Sequence, residues 1–180
     1  MVRAKVRVAI GVDYGAKSIK LDGLRITVHL WDFSGYNDFA EVRTILFSAS
    51  KLRLLIRKEL CDNVDIWFVV SDASRPETAS PEVCDAWLAE IEEAQQRNLA
   101  RCSSMQVGES MTKATAALVV AVLTKSDADC ITTSERKQYR EWTKRRHLHA
   151  SEVSAKTGDN VDSLFDTVIS QAARAALSHD

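Results

Sequence analysis

The chain has 180 residues, 46% of them hydrophobic and 27% charged, enough for one globular domain with a full core. A formal net charge of -1 and a pI near 6.4 give no bulk electrostatic case for nucleic acid or a membrane surface as partner. The four cysteines, Cys61, Cys84, Cys102 and Cys130, lack the C-x-x-C spacing of a zinc or redox site and read as reduced thiols of a cytosolic or nuclear protein.

Val2, Ala4, Val6, Val8 and Ile10 alternate with Arg3, Lys5 and Arg7, which predicts a half-buried strand. Gly11 interrupts it, and Val12 to Leu21 continues in an extended pattern. Asp22-Gly23 is a type I′ hairpin signal, so the next strand, Leu24 to Asp32, is expected to run antiparallel to it. There Ile26, Val28 and Leu30 alternate with Arg25, Thr27 and His29, one face buried and one polar. The strand runs into Trp31-Asp32-Phe33-Ser34-Gly35. The segment from Tyr36 to Leu60 reads as helical, broken near Ser48 to Ser50. Val64 to Val70 is a buried-strand run ending in Ser71-Asp72, and Pro76 and Pro81 bracket a loop. Glu82 to Asn98 predicts a helix with Val83, Trp87, Leu88 and Ile91 on one face, and Asn98 to Lys113 a surface loop.

Ala116 to Leu123 is a near-continuous apolar run, the pattern of a parallel strand covered on both faces. The longest apolar run, Ala114 to Leu123, is too short to cross a bilayer. Thr132-x-x-Glu135 is a capping box opening a polar helix that holds Tyr139 and Trp142. A short strand around Leu148 to Val153 leads to a final amphipathic helix carrying Val161, Leu164, Phe165, Val168, Ile169 and Ala172, with Asn160 as its expected cap. The C-terminal AALSHD has no cysteine to prenylate, so no stable membrane anchor is expected.

A hairpin followed by alternating strand and helix indicates a mostly parallel α/β sheet with helices on both faces, whose ligands sit beyond the carboxyl ends of the strands. Asp32, Asp72, Asp127 and Ser154-Ala155-Lys156 all fall at such ends. Three ordered signatures emerge: Asp32-Phe33-Ser34-Gly35, an Asp-x-x-Gly; Thr124-Lys125-Ser126-Asp127, a [NT]-K-x-D; and Ser154-Ala155-Lys156 running on through Thr157-Gly158-Asp159-Asn160-Val161.

Together they make the chain, over most of Gly11 to Ala176, resemble a Ras-superfamily small GTPase of the Rab branch, with the P-loop-NTPase-like fold that family has. Ile10 to Gly15, Glu41-Val42-Arg43 and Ala86 to Glu90 are similar to the RJL group, Rab-like proteins often joined to a J domain; no His-Pro-Asp of a J domain occurs in these residues. The resemblance implies a single domain over 1–180, with 48–60 and 101–113 as insertions. It implies that Asp127 accepts two hydrogen bonds from guanine's N1–H and exocyclic amine. By the same resemblance Lys125 covers the base plane, Ala155 offers its N–H to O6, and Thr124, Ser154 and Lys156 complete the guanine site. It further implies Mg²⁺ held through water by Asp32, and the γ-phosphate met by the Gly35 N–H beside Tyr36. GTP or GDP and Mg²⁺ are the implied cofactors, and an effector protein at the switch surface, with Trp31 and Tyr36 as contacts, the implied partner.

The sequence also departs from that pattern. Gly11 to Ser18 approaches the phosphate-loop motif G-x-x-x-x-G-K-[ST], with Ala16 in place of its last glycine. Only 14 residues separate Lys17 from Asp32, too few for a helix, a switch loop and two strands, so the match is expected to be coincidence. The phosphate loop, first strand and first helix are accordingly expected to be missing. Ala9 stands where Rab proteins place the magnesium-binding threonine, and Tyr36 replaces the glutamine that orients the attacking water, so hydrolysis is expected to be weak or absent and no catalytic residue is assigned. Two further readings stay open: a nucleotide-independent pseudo-GTPase interaction module, and a truncated fragment.

Overall fold

The structure, a computed structural model, describes residues 12–21, 23–35, 64–104 and 117–177, with side chains described at all of these but 97–104 and 176–177. Two compact units, Met1–Asp62 and Asn63–Asp180, divide the chain. The strand expected over Val2 to Ile10, the helical segment from Tyr36 to Leu60 and the expected insertion at 48–60 lie outside the described residues, as does 105–113 of the second expected insertion.

In the first unit β1 (Val12–Leu21) and β2 (Leu24–Phe33) form an antiparallel hairpin in which Leu21 faces Leu24 and Val12 faces Phe33. Gly23 adopts φ +83°, as the second residue of a two-residue I′ turn requires. Lys17 and Ser18 of the apparent phosphate loop lie mid-strand, opposite Val28 and Thr27, and Ser18 Oγ lies 3.2 Å from Thr27 Oγ1. Consecutive ladder pairing excludes the loop-to-helix turn that a phosphate cradle requires. The expected burial of one face of β2 is only partly met. Ile26 and Val28 are half-buried, but Leu30 is 43% exposed, because its cross-strand partner is Gly15, which has no side chain to cover it.

In the second unit β3 (Ile66–Asp72), β4 (Leu118–Thr124) and β5 (His149–Glu152) form a parallel sheet in the order β3-β4-β5. β3 starts at Ile66 rather than Val64 and ends as read, with Ser71 and Asp72 in ladder places opposite Leu123 and Thr124. A short 3-10 helix, Pro76–Ala79, occupies the loop between the two prolines. α1 (Pro81–Ser104) follows, α2 (Thr133–Arg145) joins β4 to β5, and α3 (Val161–Leu177) closes the described chain.

The near-continuous apolar run of β4 serves both faces of the sheet. Ala121 and Leu123 pack with Val69, with Cys84, Leu88 and Ile91 of α1, and with Tyr139 and Trp142 of α2. Val120 and Val122 point the other way, to Val153 and to Leu164 and Val168 of α3. Helices therefore cover both faces, as an alternating strand–helix order dictates.

α1 starts where expected, with Pro81 at its first position and Ser80 Oγ accepting a hydrogen bond from Val83 N at 3.3 Å. It runs six residues past Asn98 into the predicted loop, to Ser104. Leu99, Ala100 and Arg101 are good helix formers, and neither glycine nor proline stands before Gly108. The capping box of α2 forms as read: Glu135 N donates to Thr132 Oγ1 at 3.2 Å, and Thr132 N to Glu135 Oε2 at 2.8 Å. Asn160 departs from the usual cap, with φ +57° and an amide that donates to the Glu152 carbonyl at 3.0 Å, tying the start of α3 to β5. No helix among the described residues is long and apolar enough to cross a membrane.

Candidate functional site

Six of the residues singled out in the sequence lie in the second unit, on two loops that leave adjacent strands. β4 ends at Thr124, whose hydroxyl donates to the Ser71 carbonyl at 2.8 Å and so anchors the strand end to β3. Lys125, Ser126 and Asp127 turn away from the sheet, closed by Ala128 N donating to the Lys125 carbonyl at 2.8 Å. β5 leads to Val153 and Ser154. Ser126 N donates to the Val153 carbonyl at 3.0 Å, which locks one loop against the other.

The second loop is folded back on Ser154. Ser154 N donates to the Asp159 carbonyl at 3.0 Å, and the Ser154 carbonyl accepts from Gly158 N at 2.8 Å. Gly158 has φ +86°, a left-handed conformation that favours glycine. The Thr157 hydroxyl donates to Asp159 Oδ2 at 2.7 Å. Ser154 is fully buried, accepts from Thr157 N at 3.2 Å, and donates to Asp127 Oδ1 at 2.6 Å.

The Asp127 carboxylate is thereby oriented from behind. That hydrogen bond from Ser154, with its own backbone N–H and the nearby Lys156, outweighs partial desolvation and holds Asp127 below the usual carboxylate range. Among the described residues its other oxygen, Oδ2, meets the Lys156 ammonium, at 3.4 Å, and that lysine side chain is 83% exposed. Ala155 is exposed, and its N–H donates to no group among the described residues. The arrangement offers a fixed anion with spare lone pairs and a free backbone donor one residue beyond the serine that orients it.

Lys125 has φ +53°, uncommon for a residue with a side chain. Its ammonium lies 2.5 Å from Asp72 Oδ2 and 3.3 Å from Ser74 Oγ. Burial alone would raise the Asp72 carboxyl, but hydrogen bonds from Lys125 and Ser74 prevail and hold it below its ordinary value. Asp72 is the residue that the motifs did not flag. It ends β3 directly opposite Thr124, and the only sequence signal was its place at a strand's carboxyl end.

The remaining candidates belong to the first unit or fall outside the description. Asp32 lies across from Asp13 in the hairpin ladder, and burial, then the charge of Asp13, raises its carboxyl above the ordinary value. Gly35 follows the strand end, and Tyr36 and Ala9 lie outside the described residues. Among the described residues no group of three or more His, Cys, Asp or Glu is arranged to hold a metal ion.

The family model described as Ras family matches residues 2–174. The chain is 25% identical over 168 residues to DnaJ homolog subfamily C member 27 of Gallus gallus, covering 92% of this chain and 50% of that protein. It is 35% identical over 63 residues to GTP-binding protein ypt2 of Schizosaccharomyces pombe, covering 33% of this chain and 32% of that protein. The chain thus spans half or less of the length of these curated relatives. The resemblance of the motifs to J-domain-associated Rab-like proteins agrees with the first of these, a DnaJ homolog. With its parallel sheet, its helices on both faces and this match over nearly its whole length, the chain belongs to the Ras family.

Proposed function

We propose that the second unit binds guanine, and that the chain is a Rab-like switch protein whose base-binding half is complete and whose phosphate-binding half, within residues 1–180, is not. The observation that carries this is the Asp127 carboxylate oriented by buried Ser154 at 2.6 Å, with Ala155 N–H free on the adjoining loop. Guanine presents two donors, N1–H and the 2-amino group, which suit one carboxylate, and an acceptor, O6, which suits a backbone N–H. Adenine presents no such pair of donors. The aliphatic stem of Lys125 would cover the base plane, and Lys156 would add positive charge beside the loop. Residues 1–180 form the single small-GTPase-like domain of this proposal, with 48–60 and 101–113 as insertions.

Two hydrogen bonds to a carboxylate contribute about 3–6 kcal/mol, whereas nanomolar affinity needs about 12 kcal/mol and millimolar about 4 kcal/mol. Binding through the base alone is therefore expected between tens of micromolar and several millimolar, on the order of those energies. The Ras family in general uses GTP or GDP with Mg²⁺. Asp32 alone does not make a site for a hard cation, which needs oxygen ligands on several sides. No hydrolytic step is assigned, and Tyr36 in place of a water-orienting glutamine fits slow or absent turnover.

A second reading is favoured by the hairpin. Tyr14 is 49% exposed, its ring lies 4.4 Å from that of Trp31, and its hydroxyl lies 2.6 Å from His29 Nδ1. An exposed aromatic cluster of this kind suits a protein partner, and an effector that docks there without nucleotide would make the chain a pseudo-GTPase module in the cytosol. Titrating a fluorescent GDP analogue against the purified chain separates the two. Saturable binding that disappears in Asp127→Ala supports the guanine reading; no binding at several millimolar nucleotide leaves the interaction module.

A further inference from the structure

The geometry around Lys125 points to a role for Asp72 that rests on the guanine reading above. We infer that Asp72 is a positioning residue of the base site: its carboxylate holds the Lys125 ammonium to one side, so that the lysine presents its aliphatic stem to the base and leaves Asp127 open to the ligand.

The site contains two lysines and two carboxylates, and the structure sorts them into pairs. Lys125 and Lys156 both flank Asp127 in sequence or in space. Lys156 approaches Asp127 Oδ2 only loosely, at 3.4 Å, and its side chain is 83% exposed. Lys125 stands two residues before Asp127 in the same turn, yet its ammonium goes to Asp72 Oδ2 at 2.5 Å. A freed Lys125 would be a mobile cation beside the anion that the guanine donors need. Asp72 removes it from that competition.

Asp72 is built as a fixed receiver. It closes β3 opposite Thr124, so Lys125 is the next residue on the neighbouring strand's exit. Its Oδ1 accepts hydrogen bonds from Ser74 N at 2.8 Å and Ser74 Oγ at 2.6 Å, which turn Oδ2 toward the lysine. Its own N–H donates to Thr78 Oγ1 at 2.8 Å, tying the strand end to the 3-10 helix. The Lys125 ammonium reaches Ser74 Oγ as well, at 3.3 Å, so it has two partners from one turn. An ordinary exposed lysine has no need of a left-handed backbone, and φ +53° costs energy unless its surroundings fix it. The strained backbone and the two-partner anchor together mark Lys125 as placed rather than merely solvated.

The test compares Asp72→Asn, Lys125→Met and the double variant by titration with the fluorescent GDP analogue, and measures amine labelling of Lys125 by mass spectrometry without nucleotide. Asn keeps the acceptor for Ser74 and drops the charge. Asp72→Asn should weaken binding about 3–10-fold, the same change in the Lys125→Met background should have no further effect, and Asp72→Glu should restore most of the loss. Lys125 labelling should rise several-fold in Asp72→Asn and fall back in Asp72→Glu. An equal loss in the Lys125→Met background, or labelling unchanged by Asp72→Asn, overturns the positioning role. Labelling that responds as expected in a chain that binds no guanine nucleotide overturns the guanine reading, and the role that rests on it, while leaving the pair itself intact.

Discussion

Ser154 Oγ donates to Asp127 Oδ1 at 2.6 Å, joining two loops whose residues are 27 positions apart. The serine is fully buried and the carboxylate lies at the surface of the site, so the bond aims the anion without consuming it. Ser154→Ala should weaken guanine nucleotide binding about 5–10-fold, about 1 kcal/mol or the worth of one ordinary hydrogen bond. Urea melts of the same variant report any structural loss separately.

The same contact sets the pH response. Asp127 is held below the ordinary carboxylate value, chiefly by Ser154, so the charged form persists as pH falls. Its contribution is present above the unfolded value near 4 and is lost only as pH drops through the lower folded value. Nucleotide affinity should therefore be flat from about pH 8 to about pH 5. In Ser154→Ala the acid limb should move upward, toward the ordinary aspartate value, which a titration series in buffers of constant ionic strength would show.

Asp32 has the opposite sign. Burial and the facing Asp13 raise its carboxyl, so the folded hairpin binds that proton more tightly than the unfolded chain does. That stabilisation is present below the unfolded value and is lost as pH rises through the raised folded one. Asp13→Asn and Asp32→Asn should each slow amide hydrogen exchange in β1 and β2 at neutral pH, and should have little effect at low pH.

α1 and α2 are joined by a polar clamp at the edge of their apolar contact. Trp142 Nε1 donates to Asp85 Oδ1 at 2.7 Å, and Arg146 Nη2 lies 2.8 Å from the same oxygen. Trp142 is 1% exposed, so Asp85→Ala leaves an indole N–H without its acceptor in a buried setting. The expected cost is about 1–3 kcal/mol, read from the midpoint shift in urea, with nucleotide affinity unchanged.

Much of the second unit was legible because its signals are local. The β4 run, the Thr132–Glu135 capping box and the spacing of Val161, Leu164 and Val168 each specify structure within a few residues of themselves. Thr124 to Asp127 and Ser154 to Lys156 were legible as motifs, and both stand at strand ends as expected. What escaped was relational. Asp72 and Lys125 are 53 positions apart, and no property of either residue alone announces the pair. Leu30 reads as core by alternation, yet it is exposed because of Gly15 on the other strand. The end of α1 is hard to read because Ser103 and Ser104 look like loop, although nothing between Asn98 and Ser104 breaks a helix.

The base is expected to contribute most of the binding and the phosphates little. Competition of guanosine, GDP and ADP against the fluorescent GDP analogue tests it most directly. Guanosine and GDP should displace the analogue within about tenfold of each other, ADP should not displace it at the same concentrations, and Asp127→Ala should abolish all displacement. Nanomolar GDP with inactive guanosine would contradict the account, because the phosphates would then be held by a complete cradle.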